Sequence, residues 1–204
     1  MYTPEIYKNE NKEEIEKFIK ENGFGILINQ VSQKFLATHI PLELDVNEKN
    51  ISILSGHISL ENPQWKSFKN NEDVLVIFSG PHAYISSSWY DHENVPTWNY
   101  IAVHVYGKIK IIEGELVINS LKKLVDKYEK KSENPVSIEK FSKKTMLQAK
   151  GIVAFEIAIS EIQATKKMSQ NRDSKNYLNI IAELDKNNDF QSKMTALEMK
   201  KCPI

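Results

Sequence analysis

Residues 24–44 read FGILINQVSQKFLATHIPLEL, and this stretch decides the fold class. Its two ends, 24–29 and 35–44, are rich in β-branched and aromatic residues, and a short polar connection separates them. Two such runs joined by a few polar residues indicate a β-hairpin. The sequence therefore predicts a pair of antiparallel strands here.

The other predicted elements place strands in the middle of the chain and helices towards its ends. Strands are expected at 51–55, 74–78, 98–112 and 152–159. Apolar residues at helical spacing, or residues that cap a first turn, predict helices at 11–22, 64–69, 115–130, 137–148, 173–184 and 189–200. This order is typical of a β-barrel flanked by helices and not of alternating βαβ units, so a mainly β fold is expected.

Length and composition fit an ordinary globular protein. The 204 residues suffice for one domain with a substantial core, so 1–204 is predicted to be a single domain with C-terminal helices at about 173–200. No apolar run approaches the roughly 20 residues that cross a bilayer, so no membrane contact is expected. The one cysteine, Cys202, excludes a disulfide within the chain and favours a cytoplasmic protein.

The charge balance bears on nucleic-acid and metal binding. Lys and Arg together number 27, as do Asp and Glu, so the formal net charge is zero. Non-specific DNA affinity comes mainly from clustered cations, so DNA is a possible partner that the charge does not support. The five histidines are scattered and lack a cysteine partner, so no metal site is predicted.

The stretch 80–100, GPHAYISSSWYDHENVPTWNY, concentrates side chains that are typical of a binding site. It holds two of the three tryptophans and three of the eight tyrosines, among several hydroxyl and amide side chains. Rings stack on the faces of a planar ligand, while hydroxyls and amides bond its rim. The stretch therefore predicts a site for a flat ligand with polar edges.

Several short motifs, in fixed order along the chain, resemble those of one family. They are MYTP at 1–4, ATHIPL at 37–42, GH at 56–57, NPQW at 62–65, FSGPHAYIS at 78–86, SWY at 88–90, VPTWNY at 95–100 and SQNR at 169–172. On these motifs the chain resembles the PaiB family of FMN-binding split-barrel proteins, also described as FMN-binding negative transcriptional regulators. Together the motifs span most of the chain.

The resemblance implies a split β-barrel related to pyridoxamine-phosphate oxidases and flavin reductases. It also implies FMN as cofactor and a homodimer with FMN at or near the subunit boundary. The chain departs from the family at 58–61, where Ile-Ser-Leu-Glu replaces a segment that usually contains Ala and Arg. If that Arg touches the flavin phosphate in relatives, FMN affinity is expected to be lower here.

A first group of cofactor-binding candidates lies around the predicted second and third strands: Thr38, His39, Ser55, His57 and Asn62. Thr38 and His39 are expected on the second strand, and His57 in a turn with Ser55 after the third. Asn62 precedes a predicted helix, where spare backbone N–H groups suit an anion. The alternatives are that His57 is a turn residue without a ligand and that Asn62 only caps the helix.

A second group comes from the aromatic stretch: Trp89, Trp98, Asn99 and Tyr100. Strand alternation sends Trp98 and Tyr100 to one face and Asn99 to the other. In one arrangement the two rings contact the flavin and Asn99 forms a hydrogen bond across the subunit boundary. In the other, the rings lie at the subunit boundary and Asn99 contacts the flavin. The alternative is an aromatic dimer core without a ligand.

A third group forms a predicted polar turn between a strand and a capped helix: Lys166, Ser169, Gln170, Asn171 and Arg172. Arg172 is the only arginine in the chain, and an arginine suits bidentate recognition of a phosphate. The alternative is an ordinary surface turn.

Three possible functions follow. The resemblance implies a flavin-responsive negative transcriptional regulator of sporulation and degradative-enzyme genes. The alternative is an FMN-dependent oxidoreductase of the flavin reductase or pyridoxamine-phosphate-oxidase type, in which FMN carries electrons and the protein orients it. No residue is assigned a catalytic role. A barrel that binds another flat ligand, such as haem, or none, is a third alternative.

Overall fold

The computed structural model describes residues 1–68 and 71–202. Its strands are β1 Phe24–Val31, β2 Lys34–Val46, β3 Ser52–Ser59, β4 Asp73–Ile85, β5 Thr97–Ile111 and β6 Ile152–Lys167. Its α-helices are α1 Lys12–Glu21, α2 Trp65–Phe68, α3 Glu115–Glu129, α4 Lys143–Met146, α5 Ser174–Lys186 and α6 Phe190–Lys200. Short 3₁₀ helices cover Glu5–Tyr7, Ser87–Trp89, Ile138–Lys140 and Leu147–Gly151.

The strands form a closed barrel in the order β1-β2-β3-β6-β5-β4. The predicted hairpin is confirmed: β1 pairs with β2 in antiparallel register, with Ile26 opposite His39. Ser32 and Gln33, between the two strands, have φ values of 48° and 65°. Positive φ at both central residues is the geometry that matches the right-handed twist of a two-residue hairpin.

The predicted helices are present in the described residues except that the one at 137–148 is divided into α4 and the 3₁₀ helices Ile138–Lys140 and Leu147–Gly151. Several strands are longer than expected. The helix predicted at 64–69 is the short α2, and Lys69 lies outside the described residues. β4 continues to Ile85, so the first part of the aromatic stretch is a strand. β6 continues to Lys167, past the predicted end at 159. The expected ends at Phe78 and Ile159 are therefore wrong, since β4 runs through the Gly-Pro pair at 80–81 and β6 through Ser160 and Glu161.

The chain contains two compact units, each described here by itself. The strand-rich unit comprises residues 19–77 and 105–162, and the terminal unit comprises residues 1–18, 78–104 and those from 163 onward. In the strand-rich unit, Leu27, Leu42, Leu54, Phe68 and Phe155 are almost completely buried. The rings of Phe68 and Phe155 meet edge to face with centroids 5.4 Å apart, an arrangement that favours a unique packing.

The terminal unit is built around the last two helices. Asp173 caps α5 by accepting from the backbone N–H of Asn176 at 3.0 Å. Asp189 caps α6 in the same way, accepting from Ser192 at 2.8 Å. The buried Tyr177 of α5 donates its hydroxyl to the backbone oxygen of Met199 at 2.7 Å and so joins the two helices.

Hydrophobic residues of β4, β5 and the two C-terminal helices fill the core of the terminal unit; among them are Ile85, Ile101, Ile180, Leu184 and Met199. Within the described residues, no helix has the length and apolar character that a membrane span requires.

Gly107 of β5 provides a test of strand packing in the strand-rich unit. A Cβ on Gly107 would lie 2.4 Å from the carbonyl oxygen of Ala158, a backbone atom that moves only if the strand moves. We expect Gly107→Ala to lower the free energy of unfolding by about 1–3 kcal/mol, as overpacked cores do. Urea denaturation followed by circular dichroism measures this.

The matched control is Gly151→Ala, because a Cβ on Gly151 meets no heavy atom within 4 Å. The control should unfold at or slightly above the wild-type urea midpoint, since Ala restricts the unfolded chain. Equal midpoints for the two variants would contradict the close approach of β5 and β6.

Candidate functional site

A network of side-chain hydrogen bonds surrounds Gln64, which is 1% exposed. Its amide nitrogen donates to the backbone oxygen of Leu27 at 3.2 Å and to Asn29 Oδ1 at 2.8 Å. Its amide oxygen accepts from the Thr38 hydroxyl at 2.5 Å. Asn62 Nδ2 donates to the same hydroxyl at 2.9 Å. The structure thus brings together two predicted site residues, Thr38 and Asn62, through a glutamine that had no predicted role.

Asn62 also has the structural role that was its alternative reading. Its Oδ1 accepts from the backbone N–H of Gln64 at 3.0 Å, and this bond fixes the chain just before α2. The hydrogen-bonding capacity of Asn62 is therefore largely used inside the protein. The network positions α2 against β1 and β2, because a buried amide without partners would cost about 1–3 kcal/mol per group.

The other three candidates of the first group lie apart from this network. The predicted turn at 55–57 is wrong, since Ser55 and His57 both lie inside β3, opposite Glu156 and Ala154 of β6. A glycine between two polar residues suggested a turn, but Gly56 gives room to Leu42 and Phe155. Burial lowers the pKa of His57 from its ordinary value.

His39 is exposed on the outer face of β2. Its ring centroid lies 6.3 Å from that of Phe24 on β1. The first group of candidates is therefore divided within the strand-rich unit. Thr38 and Asn62 belong to the hydrogen-bond network. His39 lies on the exposed face of β2, and Ser55 and His57 lie in β3.

A cleft in the terminal unit collects the rings of the aromatic stretch. It has a volume of 380 Å³ and is lined by His82, Tyr84, Trp89 and Trp98, together with polar residues between 187 and 192. Trp98 is 53% exposed and Tyr84 is 47% exposed. Their rings meet edge to face with centroids 5.9 Å apart and an interplanar angle of 68°. Exposed rings held at a fixed angle offer a ready surface for a planar molecule.

Strand alternation in β5 follows the prediction. Trp98 is exposed and Tyr100 half-buried on one face, whereas Asn99 is completely buried on the other. Asn99, for which a bond across a subunit boundary was one of two alternatives, uses its side chain within the same unit. Its Oδ1 accepts from the Ser169 hydroxyl at 3.0 Å, and its Nδ2 lies 3.5 Å from Met199 Sδ, both in the same unit.

The third group forms a fixed connection between β6 and α5. Ser169 has a left-handed backbone with φ 58°, a conformation that is uncommon for residues other than glycine. Gln170 closes the turn: its Oε1 accepts from the backbone N–H of Met168 at 2.7 Å, and its Nε2 donates to the backbone oxygen of Lys166 at 2.7 Å. Asn171 is exposed. Ser169 and Gln170 therefore hold the turn itself.

Lys166 was wrongly placed in this turn, because it lies at the end of β6. Its Nζ donates to Glu14 Oε1 of α1 at 2.5 Å, and hydrogen bonding to Glu14 raises the pKa of the Lys166 ammonium against the opposing effect of burial. Its charge is thus compensated. No local pattern indicates this partner, since Glu14 is 152 positions away.

Arg172 lies over an aromatic ring of the same unit. Its guanidinium carbon is 5.0 Å from the ring centroid of Tyr90, within the range of a cation–π contact. Arg172 Nε and the Tyr90 hydroxyl are both buried without a hydrogen-bond partner. Orphaned buried polar atoms are rare in folded proteins, so Arg172 and Tyr90 are candidates for contact with a ligand.

One residue in each unit was missed as a candidate although its motif was noted. Gln64 belongs to the NPQW motif, and its signal was an amide one position after a helix-initiating proline. Tyr84 belongs to the FSGPHAYIS motif, but alternation continued from the buried Phe78 would place it inside; the burial pattern of β4 shifts by one residue between 79 and 82, and Tyr84 is exposed. The signal at Gln64 is not decisive without the fold, because the same pattern occurs in buried structural positions.

These features fit the flavin that the sequence predicts. The cleft offers exposed rings for the faces of an isoalloxazine and amide, hydroxyl and carboxylate side chains for its edge. The turn offers an arginine with an unsatisfied donor for a phosphate. Residues 1–68 and 71–202 contain no group of three His, Cys, Asp or Glu side chains that is arranged for a metal ion.

Comparison with known proteins gives a family. A family model described as "Putative FMN-binding domain" matches residues 1–161. The "Protease synthase and sporulation protein PAI 2" of Bacillus subtilis (strain 168) is 46% identical over 197 residues, which are 96% of this chain and 95% of that protein. An uncharacterized protein of Emericella nidulans is 29% identical over 214 residues, covering 83% of this chain and 84% of its own.

Solved structures show the same fold at low identity. The FAD and heme binding protein from Mycobacterium smegmatis aligns with a TM-score of 0.63 and 12% identity, over 84% of this chain and 78% of that chain. The flavocytochrome Anf3 from Azotobacter vinelandii aligns with a TM-score of 0.59 and 14% identity, over 85% of this chain and 75% of that chain. The predicted split-barrel fold is thereby confirmed.

Proposed function

The chain belongs to the PaiB family of FMN-binding split-barrel proteins, and from this membership we propose that it is a flavin-responsive regulator that acts as a homodimer. Its cofactor is FMN, as the domain matched over residues 1–161 indicates. FMN supplies electron-transfer chemistry when bound, while the protein supplies binding and orientation. The single cysteine, Cys202, suits a reducing cytoplasm.

The observation that carries the flavin site is the cleft with its exposed rings. Trp98 and Tyr84 project from β5 and β4, and Trp89 comes from the 3₁₀ helix that follows β4. Large apolar rings in water gain free energy when a planar molecule covers them. We assign the isoalloxazine to this cleft, with Trp98 as its main contact.

Trp98→Ala is expected to weaken FMN binding about 5- to 100-fold, because stacking of an aromatic side chain on a planar base contributes about 1–3 kcal/mol. Riboflavin binding should weaken by the same factor, since the lost contact is to the ring system that both ligands share. Quenching of flavin fluorescence on titration measures both affinities.

Tyr128→Ala is the matched control, since Tyr128 is also 53% exposed but lies on α3 in the strand-rich unit. It should bind both flavins as the wild type does. Unchanged affinities in Trp98→Ala would rule out the cleft as the isoalloxazine site.

An apolar face of the strand-rich unit supports the homodimer. Directly opposed residues of β1 and β2 share one face of the sheet: Phe24 with Pro41, Ile26 with His39, Ile28 with Ala37, and Gln30 with Phe35. Phe24 is 65% exposed and Phe35 is 76% exposed. We call these eight residues the outer hairpin face. Because none of them is Lys, Arg, Asp or Glu, a second copy of the same face would meet no unpaired fixed charge.

Ala37→Glu is expected to convert the dimer to a monomer, because it places a charge in the middle of the outer hairpin face. Ala37 is exposed, so the substitution leaves the core intact. Light scattering should show a species of twice the 23.5 kDa chain mass for the wild type and of the single chain mass for the variant.

Leu178→Glu, on α5, serves as the control because Leu178 is 64% exposed and lies in the terminal unit. It should remain dimeric. A wild-type protein that scatters as a single chain at all concentrations would refute the homodimer.

The regulatory role is supported by the similarity to PAI 2, whose name refers to protease synthesis and sporulation. The charges favour an indirect mechanism in which the protein does not hold promoter DNA. The lysines of α3 are paired with carboxylates in the strand-rich unit: Lys123 with Asp45, and Lys127 with Glu43 at 2.8 Å. Cations that are already neutralised release few counterions from DNA.

Expression of this chain in Bacillus subtilis lacking its PAI 2 protein tests the role. We expect the wild-type chain to restore normal extracellular protease levels and sporulation frequency, and Trp98→Ala to fail because the response requires flavin. Full complementation by Trp98→Ala would show that regulation does not require FMN binding. A gel shift of promoter DNA at low salt would contradict the indirect mechanism.

A further inference from the structure

Two cations of the terminal unit lie close together without an anion. Lys167, at the end of β6, and Arg172, just before α5, flank a short turn that is closed by the bond from Arg172 N–H to the Ser169 carbonyl oxygen at 3.0 Å. Within residues 1–68 and 71–202, no carboxylate forms an ion pair with either side chain. The neighbouring Lys166, by contrast, is paired with Glu14. The terminal unit therefore compensates one of these three cations and leaves two uncompensated.

Both side chains are held in fixed positions. Lys167 Nζ donates to the Thr97 hydroxyl at 2.5 Å and lies 5.6 Å from the ring centroid of Tyr7. The Arg172 guanidinium lies over the Tyr90 ring, with its Nε buried and without a partner. The pKa of the Lys167 ammonium is lowered by burial first and by the charge of Arg172 second. Keeping two like charges this close, and partly desolvated, costs free energy.

The backbone between them has an uncommon conformation. Ser169, midway between the two cations, has the left-handed φ of 58°, and Arg172 N–H donates to its carbonyl oxygen at 3.0 Å. The buried bond from Ser169 to Asn99 holds this conformation. Strain of this kind persists where the surrounding structure enforces it, and it clusters at ligand-binding sites. The left-handed backbone of Ser169 also suits an ordinary turn, as at Ser32 and Gln33; what an ordinary turn does not need is two cations without a carboxylate partner.

We propose that Lys167, Arg172 and Thr97 form a binding site for a phosphomonoester dianion. Lys167 supplies a point charge, Arg172 a planar pair of donors, and Thr97 a hydroxyl between the strands. The phosphate has two sources with the same chemistry, FMN itself or a separate phosphorylated small molecule. The first of these rests on the proposed FMN function; the second does not.

The experiment compares the variants Lys167→Met and Arg172→Gln with wild type against three probes. FMN and riboflavin affinities are measured by fluorescence quenching, and inorganic phosphate binding by the rise in melting temperature. A charge-assisted hydrogen bond contributes about 1.5–3 kcal/mol, so each variant should lose about 10- to 100-fold in affinity for the phosphate-bearing probe. Lys193→Met is the control, since Lys193 is exposed on α6 and its replacement removes the same charge.

Each outcome decides between the sources or refutes the site. FMN affinity that falls while riboflavin affinity is unchanged assigns the site to the cofactor's phosphate. Unchanged FMN affinity with a lost response to inorganic phosphate assigns it to a second phosphorylated molecule. If both variants retain wild-type FMN affinity and the wild-type response to phosphate, the site is refuted.

Two further readouts separate this proposal from its alternatives. Without ligand, Lys167→Met should unfold at or above the wild-type temperature, because it relieves repulsion between like charges; a purely structural lysine would lower that temperature. If the wild-type protein binds neither FMN nor riboflavin, the cofactor assignment fails. The rise in melting temperature with inorganic phosphate still tests whether Lys167, Arg172 and Thr97 bind an anion.

Discussion

The buried hydrogen bond between Asn99 and Ser169 is the constraint on which the candidate site depends. At 3.0 Å and without access to water, it ties β5 to the turn that leads into α5. Because neighbouring strand residues alternate, an inward Asn99 forces Trp98 outward into the cleft. The same bond holds Ser169 in its left-handed conformation and thereby sets the positions of Lys167 and Arg172. One side-chain contact thus orients both an aromatic surface and a cation pair.

The two recognition chemistries of the terminal unit match two parts of a flavin nucleotide. Exposed indole and phenol rings suit a planar ring system, and an uncompensated lysine and arginine suit a phosphate. The strand-rich unit contributes a different kind of feature: a closed network around Gln64 that fixes α2, and an outer hairpin face without fixed charge. Its polar residues mostly satisfy one another, so they support the structure more than they offer free donors.

Particular residues show why sequence reasoning reached some features and not others. The hairpin at β1 and β2 was predictable because its turn and its apolar runs are adjacent in the chain. The alternation of Trp98, Asn99 and Tyr100 was predictable for the same reason. The turn expected at Ser55 and His57 failed because Gly56 serves packing against Leu42 and Phe155, and the sequence does not show what a glycine faces.

The sequence by itself determined the family, the mainly β fold, the cofactor and the order of the elements, since these follow from local patterns and from motifs in fixed order. Only the tertiary structure decided which polar side chains are already satisfied. Lys166 and Lys167 are identical neighbours in the chain, yet one meets a carboxylate 152 positions away and the other meets a hydroxyl and a tyrosine ring. Partners at such separations are set by how strands and helices pack, and no local pattern encodes them.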